Sequence, residues 1–325
     1  VQAVPAMHIA ADGAKLEFNA SEQRLEALAW IVESDAIERA LDLALQFERG
    51  VRVSAARVER AEPAAAGWDL QFAGGARLGA ALLVGADGRG SRVLEWAGIG
   101  QRSKPYEQTA IVCNFLCTGT HRGVAWQRFG AEGVVALLPL PARDGGDQVS
   151  LVWSAPDALA RELQGLDAHA LAQRVQDQLP GLGAQGLGTL TPAGTVGAWP
   201  LVRQRAHSLI GAGVALLGDA AHVVHPLAGH GLNLGLQDVQ ALAAVLQGRG
   251  AAEAPGDGRV LRRYARARAE QVLALELATD ALCRLYAPGL EWLGPLRAFG
   301  LSATNHLVPL KRLLAGYASG LAVLS

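Results

Sequence analysis

The stretch from Val214 to Gln247 constrains the fold more than any other. Val214-Ala215-Leu216-Leu217 is a continuous apolar run suited to a strand buried on both faces. Gly218 lets the chain turn directly off that strand, Asp219 follows, and a loop through Ala220-Ala221-His222, Pro226 and Gly229-His230-Gly231-Leu232-Asn233 leads into a helix. The helix is expected from about Leu234 to Gln247, with Leu236, Val239, Leu242 and Leu246 on one face. A second run, Ala81-Leu82-Leu83-Val84, ends in Gly85-Ala86-Asp87-Gly88. Buried strands that feed loops and helices are the units of a parallel sheet, so the fold class expected is α/β.

The rest of the chain divides around these runs. Met7-His8-Ile9, Asp12-Gly13 and Leu16-Glu17-Phe18 read as a hairpin. Asp35 with Glu38 resembles a capping box opening a helix that carries Ile37, Leu41 and Leu45 on one face and ends near Gly50. Short strands broken by Pro63, Gly67 and Gly74-Gly75 follow. Segments around Ile111, Trp126 and Val134 to Leu138, with a turn at Asp144-Gly145-Gly146-Asp147, predict an antiparallel sheet inserted into the α/β domain. Leu159 to Leu179 reads as a helix, Val260 to Ala287 as one long helix, and Leu301 to Leu321 as at least one more.

Composition narrows the function. Half of the 325 residues are apolar, enough for a large core and for two packed subdomains. With 29 Lys plus Arg against 30 Asp plus Glu, no global field would hold nucleic acid. The runs Ala76 to Ala86 and Leu209 to Leu217 fall short of the roughly 20 residues of a membrane-spanning helix. Three cysteines and no signal-peptide pattern suggest a reducing, cytoplasmic setting, with Cys113 and Cys117 read as packed small hydrophobes.

The loop carries the chemistry. An acidic residue at a strand end accepts hydrogen bonds from a ligand hydroxyl, as in the reading of a ribose or ribitol chain. Gly229 and Gly231 remove side chains where backbone must approach a flat ring, and the helix N-terminus offers free N–H groups to an electron-rich edge. His222, His225 and His230 lie close in sequence, but this loop does not aim three imidazoles at one point as a helical i, i+4 pair does, so no metal is expected. No Gly-x-Ser-x-Gly elbow occurs, which argues against hydrolase chemistry.

The stretch Gly218 to Asp238 resembles the second flavin-contacting motif of the para-hydroxybenzoate-hydroxylase-like FAD monooxygenases. Val84-Gly85-Ala86-Asp87-Gly88-Arg89-Gly90-Ser91-Arg92-Val93 is similar to the family's Asp-Gly motif, with Leu94 where Arg is common. A narrower resemblance, to the hydroxylases of ubiquinone biosynthesis, rests on three further stretches. They are Ala125-Trp126-Gln127-Arg128-Phe129 with Leu137-Leu138-Pro139-Leu140, Pro226-Leu227-Ala228-Gly229 with Gly231-Leu232-Asn233-Leu234-Gly235-Leu236, and the tail at Gly300-Leu301, Pro309-Leu310-Lys311 and Ala318-Ser319-Gly320. His230 stands where relatives usually carry Gln, and the family's N-terminal Gly-x-Gly-x-x-Gly segment is not among these residues.

The resemblance implies a Rossmann-like FAD/NAD(P)-binding domain, incomplete at its N-terminus, over 25–100 and 206–257. It implies a substrate-binding sheet over 1–24 and 101–205, and a C-terminal helical region over 258–325. It implies FAD, reduced by NADH or NADPH, held by Gly218, Asp219, Pro226, Ala228, Gly229, Gly231, Leu232 and Asn233 with Asp87 and Gly88. The reaction implied is hydroxylation of a polyprenylated phenol through a flavin hydroperoxide, with no obligatory protein nucleophile or base. Leu307, Leu310, Leu313, Leu314 and Tyr317, with Lys311 and Arg312 beside them, form an apolar face with a basic flank, read as a helix packed on its own domain or on a second subunit, with contact at the inner face of a membrane as the alternative; a homo-oligomer and a ubiquinone-biosynthesis complex are further expectations. Two other readings are a truncated, non-catalytic assembly subunit and a related flavin monooxygenase acting on another aromatic or isoprenoid compound.

Overall fold

The opening hairpin forms as its alternation predicts. Ala6–Ala11 and Ala14–Asn19 pair antiparallel, with Met7 opposite Phe18 and Ile9 opposite Leu16. Asp12 (φ 48°) and Gly13 (φ 82°) are both left-handed, the geometry whose twist matches the flanking strands. The computed structural model describes residues 1–143, 146–226, 229–286 and 291–306. These fall into two compact units, one of Val1–Val51, Glu107–Leu201 and Arg284–Ser325, the other of Arg52–Tyr106 and Val202–Cys283. Residues 25–51 therefore lie with the sheet, and the helix Gly258–Leu285, up to Cys283, lies with the unit that contains 206–257.

In the first unit the hairpin strand Ala6–Ala11 pairs in parallel with Val124–Gly130. That strand pairs antiparallel with Gly133–Arg143, which pairs with Gly146–Pro156, which in turn pairs with Gln101–Cys117. The inserted antiparallel sheet is thus present, with the hairpin added in parallel. Trp126, Leu137, Leu151 and Cys113 lie opposite one another across four strands, and Phe115, Leu137, Leu151 and Trp153 are wholly buried. Full burial of each such side chain contributes about 1.5–3 kcal/mol.

The helices under this face are Asp157–Gln164, Ala168–Gln176 and Leu179–Leu182, not the single helix expected from Leu159 to Leu179. The break has a local cause: Asp167 accepts a hydrogen bond from Ala170 N at 2.8 Å and so caps a new helix. Cys113 and Cys117 are buried free thiols, and burial, reinforced by the Asp147 charge, pushes Cys117 up to about 11. The helix Ser34–Phe47 buries none of its residues among the described ones, leaving Leu41, Leu43 and Phe47 exposed, and its N-cap is Glu33 without a side-chain bond rather than a capping box. Asp144 and Gly145 of the expected turn and the tail from residue 307 onward lie outside the described residues.

The second unit contains a meander, Val58–Ala64, Gly67–Phe72 and Arg77–Ala80, in which Pro63 sits within a strand instead of breaking it. Beside it, Ile210–Gly211, Val214–Leu216 and Leu83–Gly85 form a three-stranded sheet. Val214, Ala215 and Leu216 are fully buried as expected, whereas Val84 is half exposed. The helix after the loop begins at His230 and runs to Gln247. Its buried face is Leu234, Asp238 and Leu242, while Leu236 and Val239 are exposed, so the expected apolar face is rotated. The reason is Asp238, whose polar interactions described below hold that face inward. The long helix Gly258–Leu285 packs through Leu261, Tyr264, Arg268, Val272 and Glu276, a buried face that is half polar.

Candidate functional site

Two loops about 130 residues apart in sequence leave one end of neighbouring strands. Leu83–Gly85 and Val214–Leu216 pair in parallel, with Leu83 opposite Val214 and Gly85 opposite Leu216, and Leu217 N donates to Gly85 O at 2.8 Å. Asp87 and Asp219 therefore emerge from the carboxyl ends of adjacent parallel strands, the place where open α/β sheets bind ligands. Their close approach requires glycine: a Cβ on Gly85 would stand 2.8 Å from the Leu216 side chain and 2.9 Å from Val93.

Gly218 turns the chain with a left-handed φ of 55°, which only glycine adopts without strain. Asp219 follows in a 3₁₀ turn, exposed, its carboxylate engaging no other described residue. Pro226 O accepts from Gly229 N at 3.0 Å, closing the loop before the helix. Gly229 is left-handed (φ 63°) and serves as N-cap of His230–Gln247 with no side-chain cap. The first-turn N–H groups of Gly231 and Leu232 are thus left without an intrahelical or side-chain acceptor at the cap, whereas Asn233, four residues after Gly229, closes the first helical turn on the cap carbonyl. Among the described residues, no atom beyond the adjoining residues lies within 4 Å of where a Cβ on Gly229 or Gly231 would stand. Ala228 lies outside the described residues, as does the side chain of His230.

What holds this loop was not assigned from sequence. Asp238, fully buried, accepts from Gly218 N at 2.9 Å, from His222 Nε2 at 2.7 Å and from Arg268 Nε at 2.7 Å. Arg268 Nη2 reaches Leu234 O at 3.2 Å, and Tyr264 donates to Leu216 O at 2.7 Å. Burial pushes the Asp238 carboxyl upward, but its hydrogen bonds from His222, Gly218 and Arg268 and the His222 charge outweigh burial and hold it below the ordinary range. Asp238 closed the motif in the sequence, but Arg268 lies 30 residues further along in a segment read only as one long helix. The signal available was an arginine falling in register with Leu261, Tyr264 and Val272.

Asp87 has a different role from Asp219. It accepts from Ser91 Oγ at 2.6 Å and from Arg92 N at 2.8 Å, and Ser91 Oγ accepts from Leu94 N at 3.0 Å, so it organises the N-terminus of the helix Arg92–Trp96. Gly88 (φ 76°) makes the turn between them. Arg92 donates to Val58 O at 2.9 Å and Glu59 O at 2.8 Å and lies over the Trp96 ring, while Leu94 is core.

Of the three histidines, the two with described side chains have different partners. His222 binds Asp238, and His225 is buried edge-on to Tyr106 with ring centroids 4.8 Å apart. Desolvation lowers His225 to about 4. Among the described residues no group of three or more His, Cys, Asp or Glu could hold a metal ion.

The first unit offers a second kind of surface. Strand alternation turns Val112, Asn114 and Leu116, Gln148, Ser150 and Val152, and Ala136 and Leu138 to the face opposite the buried core. All eight are half-buried. Leu138, Ser150 and Asn114 are register neighbours, so an amide and a hydroxyl sit together on a face whose other members, Gln148 apart, are apolar.

Comparison with known proteins agrees with this anatomy. Residues 9–276 match the family described as FAD binding domain. The chain is 34% identical over 313 residues to 3-demethoxyubiquinol 3-hydroxylase of Escherichia coli, covering 95% of this chain and 77% of that protein. It is 33% identical to the mitochondrial ubiquinone biosynthesis monooxygenase COQ6 of Xenopus tropicalis, covering 91% of this chain and 72% of the relative. Among solved structures, Klebsiella pneumoniae HpxO complexed with FAD and uric acid superposes with a TM-score of 0.70 at 20% identity, over 97% of this chain and 81% of that one. The p-nitrophenol 4-monooxygenase PnpA of Pseudomonas putida gives 0.71 at 15%, over 98% and 82%. With the strand-end loops, the uncapped helix and the inserted sheet already in place, this similarity over nearly the whole chain shows that it belongs to the ubiquinone-biosynthesis hydroxylase family of FAD-dependent aromatic monooxygenases.

Proposed function

We propose that this chain hydroxylates the ring of a polyprenylated phenol of the ubiquinone pathway, with FAD reduced by NADH or NADPH. The observation that carries the flavin site is Asp219, an exposed carboxylate without a described partner on a turn fixed by a buried network, next to a helix N-terminus without a side-chain cap. These residues fit FAD. Asp219 would accept from ribityl hydroxyls, and Gly229 and Gly231, where a Cβ would meet no described atom, would let main-chain N–H groups approach the ring edge. Asp87 and Gly88 would shape the neighbouring loop. Bound FAD supplies the redox and oxygen-transfer chemistry.

The protein's own task is to orient and to exclude water. The sheet face at Leu138, Val152, Val112 and Leu116 would take the apolar body of the substrate, and Asn114 and Ser150 would hydrogen-bond a phenolic or ring-ether oxygen. No side chain is required as nucleophile. A polyprenyl tail resides in lipid, so peripheral contact with a membrane is part of this proposal. No helix among the described residues is long and apolar enough to cross a membrane.

The test is flavin retention. The chain is incubated with FAD and desalted, and visible flavin absorbance is compared with that of Asp219→Ala. The proposal expects the wild type to retain flavin and the variant to lose most of it. Equal retention by both, or none by the wild type, would overturn the site. For the retained holoprotein, NAD(P)H oxidation stimulated by a polyprenylated phenol, and weakened by Asn114→Ala, tests the substrate face.

A further inference from the structure

We propose that Asp238 and His222, backed by Arg268, are positioning residues of the flavin site, holding the Gly218 turn in the geometry that presents Asp219. The inference rests on the flavin reading above and extends it to residues that would not touch the cofactor.

The geometry distinguishes this from ordinary packing. Two of the three donors to Asp238, Gly218 N and His222 Nε2, belong to the loop itself, flanking Asp219 on both sides in sequence. The third, Arg268 Nε, comes from the long helix, and Tyr264 one turn earlier donates to the last residue of the strand, at Leu216 O. All four side chains are buried, with Asp238 and Tyr264 at 0% and His222 and Arg268 at 2% exposure. A buried ion pair is weak evidence of stabilisation, because apolar residues of similar volume often hold a core as well. Hydrogen bonds add direction, which apolar contacts lack. Here the directed bonds converge on one carboxylate, and one of its donors is the main-chain N–H immediately before the residue that faces solvent. Gly235 supports the same point: a Cβ there would stand 3.4 Å from Gly218 Cα, so the following helix packs backbone to backbone against the turn.

The experiment compares His222→Asn with His222→Gln in the full chain. Glutamine carries its amide nitrogen the same number of bonds from the main chain as His Nε2 and can still donate to Asp238, whereas asparagine falls short. Two quantities are read: amide hydrogen exchange of the peptide spanning residues 217–223, and FAD affinity by quenching of flavin fluorescence. Loss of one hydrogen bond to a buried carboxylate predicts exchange faster, and FAD binding weaker, by about tenfold or more in His222→Asn. His222→Gln should restore both to near wild type. Wild-type exchange and affinity in His222→Asn would overturn the proposal, and so would a loss in His222→Gln as large as in His222→Asn. If His222→Asn does not fold, the His222→Gln result decides alone, since that variant must keep wild-type exchange and affinity. Asp219→Ala separates the two ideas. Unchanged FAD affinity there removes the flavin reading, with the exchange result still testing the network. Weakened FAD affinity there but not in His222→Asn removes only the positioning role.

Discussion

The sheet core of the first unit and the side chains that hold the Gly218 loop in the second are equally buried but held together by opposite means. In the sheet, Phe115, Leu137, Leu151 and Trp153 fill space through non-directional apolar contact. Around the loop, one carboxylate, one imidazole and one guanidinium hold three separate segments of chain through bonds of 2.7–2.9 Å. The first arrangement tolerates small shifts and loses stability gradually as volume is removed. The second is satisfied in one geometry and fails when any member is lost. A scaffold needs the first property, and the proposed flavin site, which would present Asp219 and a bare helix N-terminus at fixed positions, needs the second.

The largest effects break each side of this contrast. Arg268→Ala leaves the Asp238 carboxylate buried without its cation, and removing one member of a buried pair costs about 3–5 kcal/mol. Trp153→Ala opens a cavity in the sheet core at a similar cost, about 3–5 kcal/mol. Denaturant unfolding measures both. The contrast is sharpened by conservative variants: Leu151→Val should lose roughly 1 kcal/mol, whereas Arg268→Lys, which keeps charge but not the planar fork that meets Asp238, Leu234 O and Gln237, should recover little. Full recovery by lysine would mean that charge alone holds the network.

The same difference governs what could be read from the sequence. The hairpin at Asp12-Gly13 and the inserted sheet follow from alternation and turn residues, which act locally, and the strands at Leu83 and Val214 follow from apolar runs. The parallel pairing that sets Asp87 beside Asp219 is non-local, and only the family resemblance linked the two motifs. The break at Gly165 was missed because an aspartate cap at Asp167 competes with a helical apolar pattern that runs through it. The rotated face of His230–Gln247 was missed because a buried aspartate looks polar, hence exposed, until its three donors are known. Arg268 was missed for the same reason. Thus the glycines and acids of the loop were legible as local turn chemistry, and the residues that hold them were not, because their partners lie 16 to 30 residues away.

Acid should affect the second unit through His225. Folded, it stays neutral down to about 4, whereas unfolded it takes a proton near 6.5. The unfolded state therefore binds more protons between these values, and stability falls as pH drops from 6.5 to 4, by about 3 kcal/mol at most. Asp238 behaves differently. Its carboxyl is depressed below 3.8, so its contribution is complete above that value and is lost only as pH falls further, through its folded value. Unfolding free energy measured from pH 7 to 4 should slope for the wild type and flatten in His225→Gln. An unchanged slope would assign the acid response to other groups.

The smallest effects belong to the two acids at the strand ends. Asp87 holds the Arg92–Trp96 helix start through Ser91 and Arg92 N, so Asp87→Ala should cost about 1 kcal/mol, as loss of a helix cap does. Asp219 is exposed and bonds no described residue, so Asp219→Ala should stay within about 0.5 kcal/mol of wild type. For flavin the order should reverse, with Asp219→Ala weakening binding more than Asp87→Ala. Melting curves with and without FAD show both at once: without ligand Asp87→Ala melts lower than Asp219→Ala, and with saturating FAD the ligand-induced rise is smaller for Asp219→Ala. Equal rises in the two variants would place the flavin's hydroxyl contacts elsewhere in the unit.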